Sequence, residues 1–126
     1  MVVGLHIGER HWPLRRAVVA GPSMVPALRA GDRLLVWLRV PRRTPAVGRV
    51  VLVALPDRPL AVKRLVAIEP DGRIRVEGDN ELASTDSRTL GALPPTAVRG
   101  VVLARIWPRP GAVRSTKIAP VAERAG

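Results

Sequence analysis

The sequence predicts a mostly β protein: coiled, twisted antiparallel sheets with one short helix. Three observations carry that expectation. Short runs of Val, Leu and Ile recur along the chain. Pro, Gly and Asp clusters separate them at close intervals. Apart from a few residues after Ser23, no stretch sustains a helical period, and 13 prolines punctuate the chain. A length of 126 residues sets one compact unit as the expectation. Residues 17–107 read as the folded domain, residues 1–16 as an N-terminal arm and residues 108–126, poor in large apolar side chains, as a mobile tail.

The elements follow in order. Residues 17–20 are a short β-branched run, residues 33–40 read RLLVWLRV and residues 49–55 read RVVLVAL. Leu60–Ile68 reads LAVKRLVAI, and residues 73–77 alternate as RIRVE with Ile74 and Val76 on one face. Val98–Trp107 closes the series. Pro56-Asp57-Arg58-Pro59 predicts a tight antiparallel connection between the third and fourth of these strands. Pro70-Asp71-Gly72 predicts a second hairpin onto residues 73–77. The short helix is expected just after Ser23, with Pro26 near its first turn and Gly31 as its stop.

Composition removes whole classes of function. With no cysteine there is no disulfide framework, no thiolate nucleophile and no Cys-ligated metal centre. The only aromatics are Trp12, Trp37 and Trp107, too few for a base-stacking platform. The net charge of +11 is spread from Arg10 to Arg124 without a long basic run, so no nucleic-acid partner is expected. A membrane-spanning helix needs about 20 apolar residues, and runs such as residues 34–38 and 50–55 are far shorter. The N-terminal residues carry Glu9, Arg10, His11, Pro13, Arg15 and Arg16 and do not form a signal peptide. The expectation is a cytoplasmic chain with no integral span, whose arginines allow peripheral contact with an anionic membrane.

Three segments could carry chemistry. In Gly21-Pro22-Ser23-Met24-Val25-Pro26, two prolines and a glycine fix the backbone around one serine. Such a bend presents a hydroxyl and frees backbone N–H groups, as a nucleophile and its oxyanion site require. The same serine also reads as a helix cap. Lys63 stands in an apolar strand among Ala61, Val62, Leu65 and Val66, in a chain whose 21 basic residues include only one other lysine, Lys117. Turned inward, its amine loses favour for the charged form and can accept a proton, as an arginine cannot. Turned outward, it is a solvated strand residue. Adjacent strand positions face opposite ways, so of Lys63 and Arg64 one is expected in and the other out. The third segment, Gly78-Asp79-Asn80 with Ser84-Thr85-Asp86-Ser87-Arg88, reads either as a polar loop or as a brace that orients the lysine.

Taken together and in this order, the segments resemble the Ser/Lys signal peptidase family (signal peptidase I-like). Ser23-Met24-Val25-Pro26 matches its first box, Gly31-Asp32 the turn that follows, and Lys63-Arg64 the lysine box. Gly78-Asp79-Asn80 and Ser84 to Arg88 match the last box. The resemblance covers about residues 17–107. It implies a small signal-peptidase-like catalytic unit in which Ser23 is the nucleophile and Lys63 the general base. It further implies that Ser84 bonds the amine, that the backbone N–H of Ser23 serves the oxyanion with Met24 beside it, and that Asp86 and Arg88 support the site. The resemblance also implies that a precursor protein lies as an extended strand along Gly21, Pro22, Ala61 and Val62, over shallow apolar pockets. The implied reaction is expected to need neither metal nor cofactor.

This chain departs from the family in three places. It shows no membrane helix. Residues 65–77 leave no room for the second domain that large members insert there. Gly21 stands where some relatives carry a serine that supplies a second oxyanion donor. A short chain with these boxes is similar to one branch above others, the maturation proteases of nickel-type superoxide dismutase. Removal of an N-terminal propeptide from that enzyme is therefore the leading expectation. A general leader peptidase acting at the membrane, and a catalytically inactive peptide-binding module, are the alternatives. A self-cleaving repressor-type regulator would need a DNA-binding domain that residues 1–16 cannot hold.

Overall fold

The computed structural model describes residues 2–6, 13–22, 24–38, 45–80 and 87–113. Among these residues, eight strands form one antiparallel sheet. They are β1 (Val2–His6), β2 (Leu14–Val19), β3 (Arg33–Trp37), β4 (Val50–Ala54), β5 (Leu60–Ile68), β6 (Ile74–Glu77), β7 (Val98–Trp107) and β8 (Gly111–Ala112). The order across the sheet is β1-β2-β3-β7-β4-β5-β6, with β8 against the end of β7. β1 comes back against β5, so the sheet coils on itself. The mostly β expectation holds.

Both hairpins form where the turn chemistry places them. β4 pairs β5 in unbroken register from Val50 opposite Arg64 to Ala54 opposite Leu60. β5 pairs β6 across Pro70-Asp71-Gly72, where Gly72 takes a φ of +91° that favours glycine. There the Arg73 backbone N–H, and then its guanidinium, holds the Asp71 carboxyl below its ordinary range.

Two parts of the expected plan are corrected. Residues 24–28 form turns instead of a helix. Pro26 has no N–H to give a helix and disfavours helical backbone at Val25; a bond from Leu28 N–H to Met24 O (2.9 Å) is left. The helix α1 lies later, at Ser87–Leu90, and a 3₁₀ turn follows at Pro95–Ala97. The sheet also reaches into both flanks: β1 and the start of β2 fall within residues 1–16, and β8 within residues 108–126. Residues 114–126 lie outside the described residues.

Two apolar clusters fill the fold, and the strand period divides them. Val50 and Leu52 of β4 and Val62 of β5 join Ala17, Val19, Met24, Leu28, Leu34, Val36 and Val102. Val51 and Val53 of β4 and Ala61 and Leu65 of β5 join Leu55, Ile74, Val76, Leu93, Ala97 and Val98. β4 and β5 are therefore covered on both faces, which explains the unbroken apolar run in β4. β7 crosses β3 so closely that a Cβ on Gly100 would lie 2.9 Å from Trp37 O and 2.9 Å from Val36 Cγ1. Gly100→Ala is expected to cost about 1–3 kcal/mol by overpacking, read as a lower melting temperature.

Candidate active site

The serine segment is a loop between β2 and β3 whose base is tied off. Val19 N–H donates to Asp32 O at 2.9 Å and Gly31 N–H to Val19 O at 2.8 Å. The Asp32 carboxylate, 7% exposed, accepts the Arg29 N–H at 2.9 Å, giving the Gly31-Asp32 turn its structural role. Inside the loop, Val25 N–H bonds Pro22 O at 3.1 Å, closing a turn from residue 22 to residue 25. Met24 and Leu28 are sunk in the first cluster and hold the loop down. Gly21 has a φ of +89°, where a side chain is strained although nothing crowds the position. A serine there would be held only at a cost, which gives a backbone reason for the glycine. Ser23 itself lies outside the described residues.

Lys63 sits in the middle of β5, opposite Val51 in register and 3% exposed. Strand alternation sets it on the same face as Ala61 and Leu65. The expectation that one of Lys63 and Arg64 points to solvent is corrected. It does face away from Lys63, but that side is covered too, and Arg64 is 4% exposed. Its Nε and Nη2 donate to the two Asp79 carboxylate oxygens at 2.8 and 2.7 Å, and its Nη1 to Gly48 O at 2.8 Å. A planar guanidinium meeting a carboxylate in this two-pronged way fixes direction as well as distance.

The Gly78-Asp79-Asn80 box follows β6 directly and joins the other two segments. Asp79 holds Arg64, the neighbour of Lys63. Asn80 Nδ2 donates to Pro22 O at 3.1 Å, reaching the residue before Ser23 across 58 positions of sequence. Arg88 donates from Nη2 to Gly78 O at 3.0 Å, and its Nη1 lies 3.8 Å from Glu77 Oε1. One three-residue box thus connects the lysine strand to the serine turn. Ser84 and Asp86 fall outside the described residues. Arg64, Asp79 and Asn80 were not assigned roles from sequence. The signal for them was the box itself, whose carboxylate and amide suit an arginine and a carbonyl.

Ala61 and Val62 do not offer side chains to a ligand. They are buried, one in each cluster, at 3% and 2% exposure. Their main chain is differently placed. β6 pairs β5 from Arg64 onward, and among the described residues no strand pairs with Leu60 to Val62 on the side away from β4. An extended peptide could pair with this edge.

A mostly β antiparallel sheet of this kind is consistent with a signal-peptidase-like fold. Family models give no match to the chain. Curated relatives do. The chain is 31% identical over 117 residues to the mitochondrial ATP-independent inner membrane protease subunit 1b of Arabidopsis thaliana, covering 73% of this chain and 69% of that protein. It is 30% identical over 129 residues to subunit 1a of the same plant, covering 82% and 76%. Against the mitochondrial inner membrane protease subunit 1 of Xenopus tropicalis it is 31% identical over 114 residues, covering 72% and 68%. The chain belongs to this signal peptidase I-like family of inner membrane proteases. The match gives the nickel superoxide dismutase branch no support and favours leader processing at a membrane. The cytoplasmic expectation likewise finds no support in relatives named for a membrane. No helix among the described residues is long and apolar enough to cross one.

Proposed function

We propose that this protein is a leader peptidase that works at a membrane surface through a Ser/Lys dyad, with Ser23 as nucleophile and Lys63 as general base. The observation that carries this reading is the Gly78-Asp79-Asn80 box, which grips Arg64 on one side and Pro22 on the other. It ties the two reactive segments into one unit. The precursor lies as an extended strand along the main chain of Ala61 and Val62, beside Gly21 and Pro22.

The buried amine of Lys63 works in its neutral form, which burial favours over the ammonium. It takes the proton of Ser23 Oγ as that oxygen bonds the scissile carbonyl carbon. The carbonyl oxygen becomes an oxyanion and accepts the Ser23 backbone N–H. Lys63 then returns its proton to the leaving amine, and the C–N bond breaks. Water, losing a proton to Lys63, attacks the acyl-enzyme; the acid product leaves and Ser23 regains its proton. Ser84 orients the amine, and Asp86 and Arg88 support the loop. Because the base acts unprotonated, kcat/KM is expected to rise with pH to a plateau. A profile flat from about pH 5 to about pH 9 would rule Lys63 out as the base.

The test is cleavage of a panel of leader-bearing precursors, including a nickel-type superoxide dismutase precursor, with and without lipid vesicles. Mass spectrometry reads the new N-termini. One N-terminal cut in several leaders, faster with vesicles, is the expected result. Cleavage of the dismutase precursor alone would restore the narrower branch. Peptide binding by the folded protein without any cleavage would make it a binding module.

A further inference from the structure

The serine loop has a second concave neighbour that the peptidase reading does not use. A cleft of about 460 Å³ is lined by Pro26, Arg29, Asp32, Arg105, Pro108 and Arg109. None of the lysine strand or the Gly78-Asp79-Asn80 box lines it. Three arginines and one carboxylate line it, and that carboxylate already accepts the Arg29 backbone N–H. Arg105 is committed to the protein: its Nε donates to Arg109 O at 2.8 Å, and its Nη1 reaches Ala27 O at 3.4 Å and lies 3.7 Å from Asp32 Oδ2. The side chains of Arg29 and Arg109 make no hydrogen bond or ion pair among the described residues. Two exposed arginines on a cleft whose third is held in place suit an anion.

We propose that this cleft binds a phosphate-bearing anion, with Arg29 and Arg109 as the gripping residues and Arg105 as the fixed third charge. The excess of two positive charges matches a phosphate monoester, which carries about −1.5 to −2 at neutral pH. The ligand is either a small phosphate compound or the headgroup of a membrane lipid. Trp107, next in the chain to Pro108, is 52% exposed with the Arg33 guanidinium 4.9 Å from its ring centre, an amphipathic pair suited to a lipid interface. Pro26, Ala27 and Arg29 all belong to the serine loop, so an occupied cleft steadies that loop. The binding claim stands whether or not Ser23 is the nucleophile.

The experiment is calorimetric titration of the full chain with inorganic phosphate, ionic strength held constant with sodium chloride. Saturable one-site binding is expected. It should weaken about tenfold or more in Arg29→Gln/Arg109→Gln and stay unchanged in Arg58→Gln/Arg99→Gln, an exposed pair with the same charge loss. Equal weakening in both double variants would overturn the proposal, since general screening of a +11 protein then explains the heat. Absence of binding to the folded wild type would overturn it as well. Co-sedimentation with phosphatidylcholine vesicles, with and without phosphatidic acid, separates the sources. Retention lost in Arg29→Gln/Arg109→Gln alone supports the lipid headgroup; retention equal in both variants, with phosphate binding lost in that one, supports a soluble phosphate compound.

Discussion

Under the proposed mechanism Ser23→Ala and Lys63→Met are each expected to remove cleavage, with kcat reduced by about 10³-fold or more and little change in KM. Methionine is the informative replacement at Lys63. It retains a flexible apolar stem in a position only 3% exposed and deletes the amine. The strand then keeps its packing between Val51 and Leu65, so melting temperature holds while turnover disappears. Lys63→Arg fails for a different reason: a guanidinium stays protonated and takes no proton from serine. Under the proposed mechanism nucleophile and base act as one unit, so the double variant is expected to be no worse than either single one. Turnover surviving in Lys63→Met would remove lysine from the mechanism, whereas a matching loss of fold would show a structural role only.

Asp79→Ala carries the second large effect, this time on stability. It takes the two-pronged carboxylate partner away from the buried Arg64 guanidinium. Breaking a buried pair from one side costs about 3–5 kcal/mol. The lower end applies here, because the Asp79 side chain keeps 22% exposure. Urea unfolding should show the loss as a lower midpoint at unchanged slope. Replacing both partners, Arg64→Met with Asp79→Leu, should recover most of the stability, since no charge is stranded. Cleavage should stay low, because the tether between the lysine strand and the serine turn is gone. A stable Asp79→Ala protein would mean that water already serves Arg64.

Much of this architecture could be read from the chain. The β4–β5 and β5–β6 hairpins were legible because Pro56-Asp57-Arg58-Pro59 and Pro70-Asp71-Gly72 are local signals. The serine, lysine and Gly-Asp-Asn boxes were legible because their order is linear. What sequence hid was two-sided burial. Alternation says that Lys63 and Arg64 face apart, but it does not say whether the far side is wet. The apolar run of residues 50–53 held that information, since a strand with one wet face would alternate. The turns at residues 24–28 were misread because one proline after a serine suits a helix start as well as a tight loop. Contacts such as Asn80 to Pro22 and Arg105 to Ala27 join residues 58 and 78 positions apart, and no local pattern encodes them.

The division of β4 and β5 between two clusters has a kinetic consequence. Val50, Leu52 and Val62 belong to one cluster, while Val51, Val53, Ala61 and Leu65 belong to the other. Neither cluster can open without pulling on the same pair of strands. Their amides are therefore the slowest to exchange with solvent, released when the whole domain unfolds, while β1, β8 and the β6 edge fray on their own. The lysine rides on the most rigid part of the molecule and the serine on a loop pinned to it, so any motion that admits a precursor must come from the loop side.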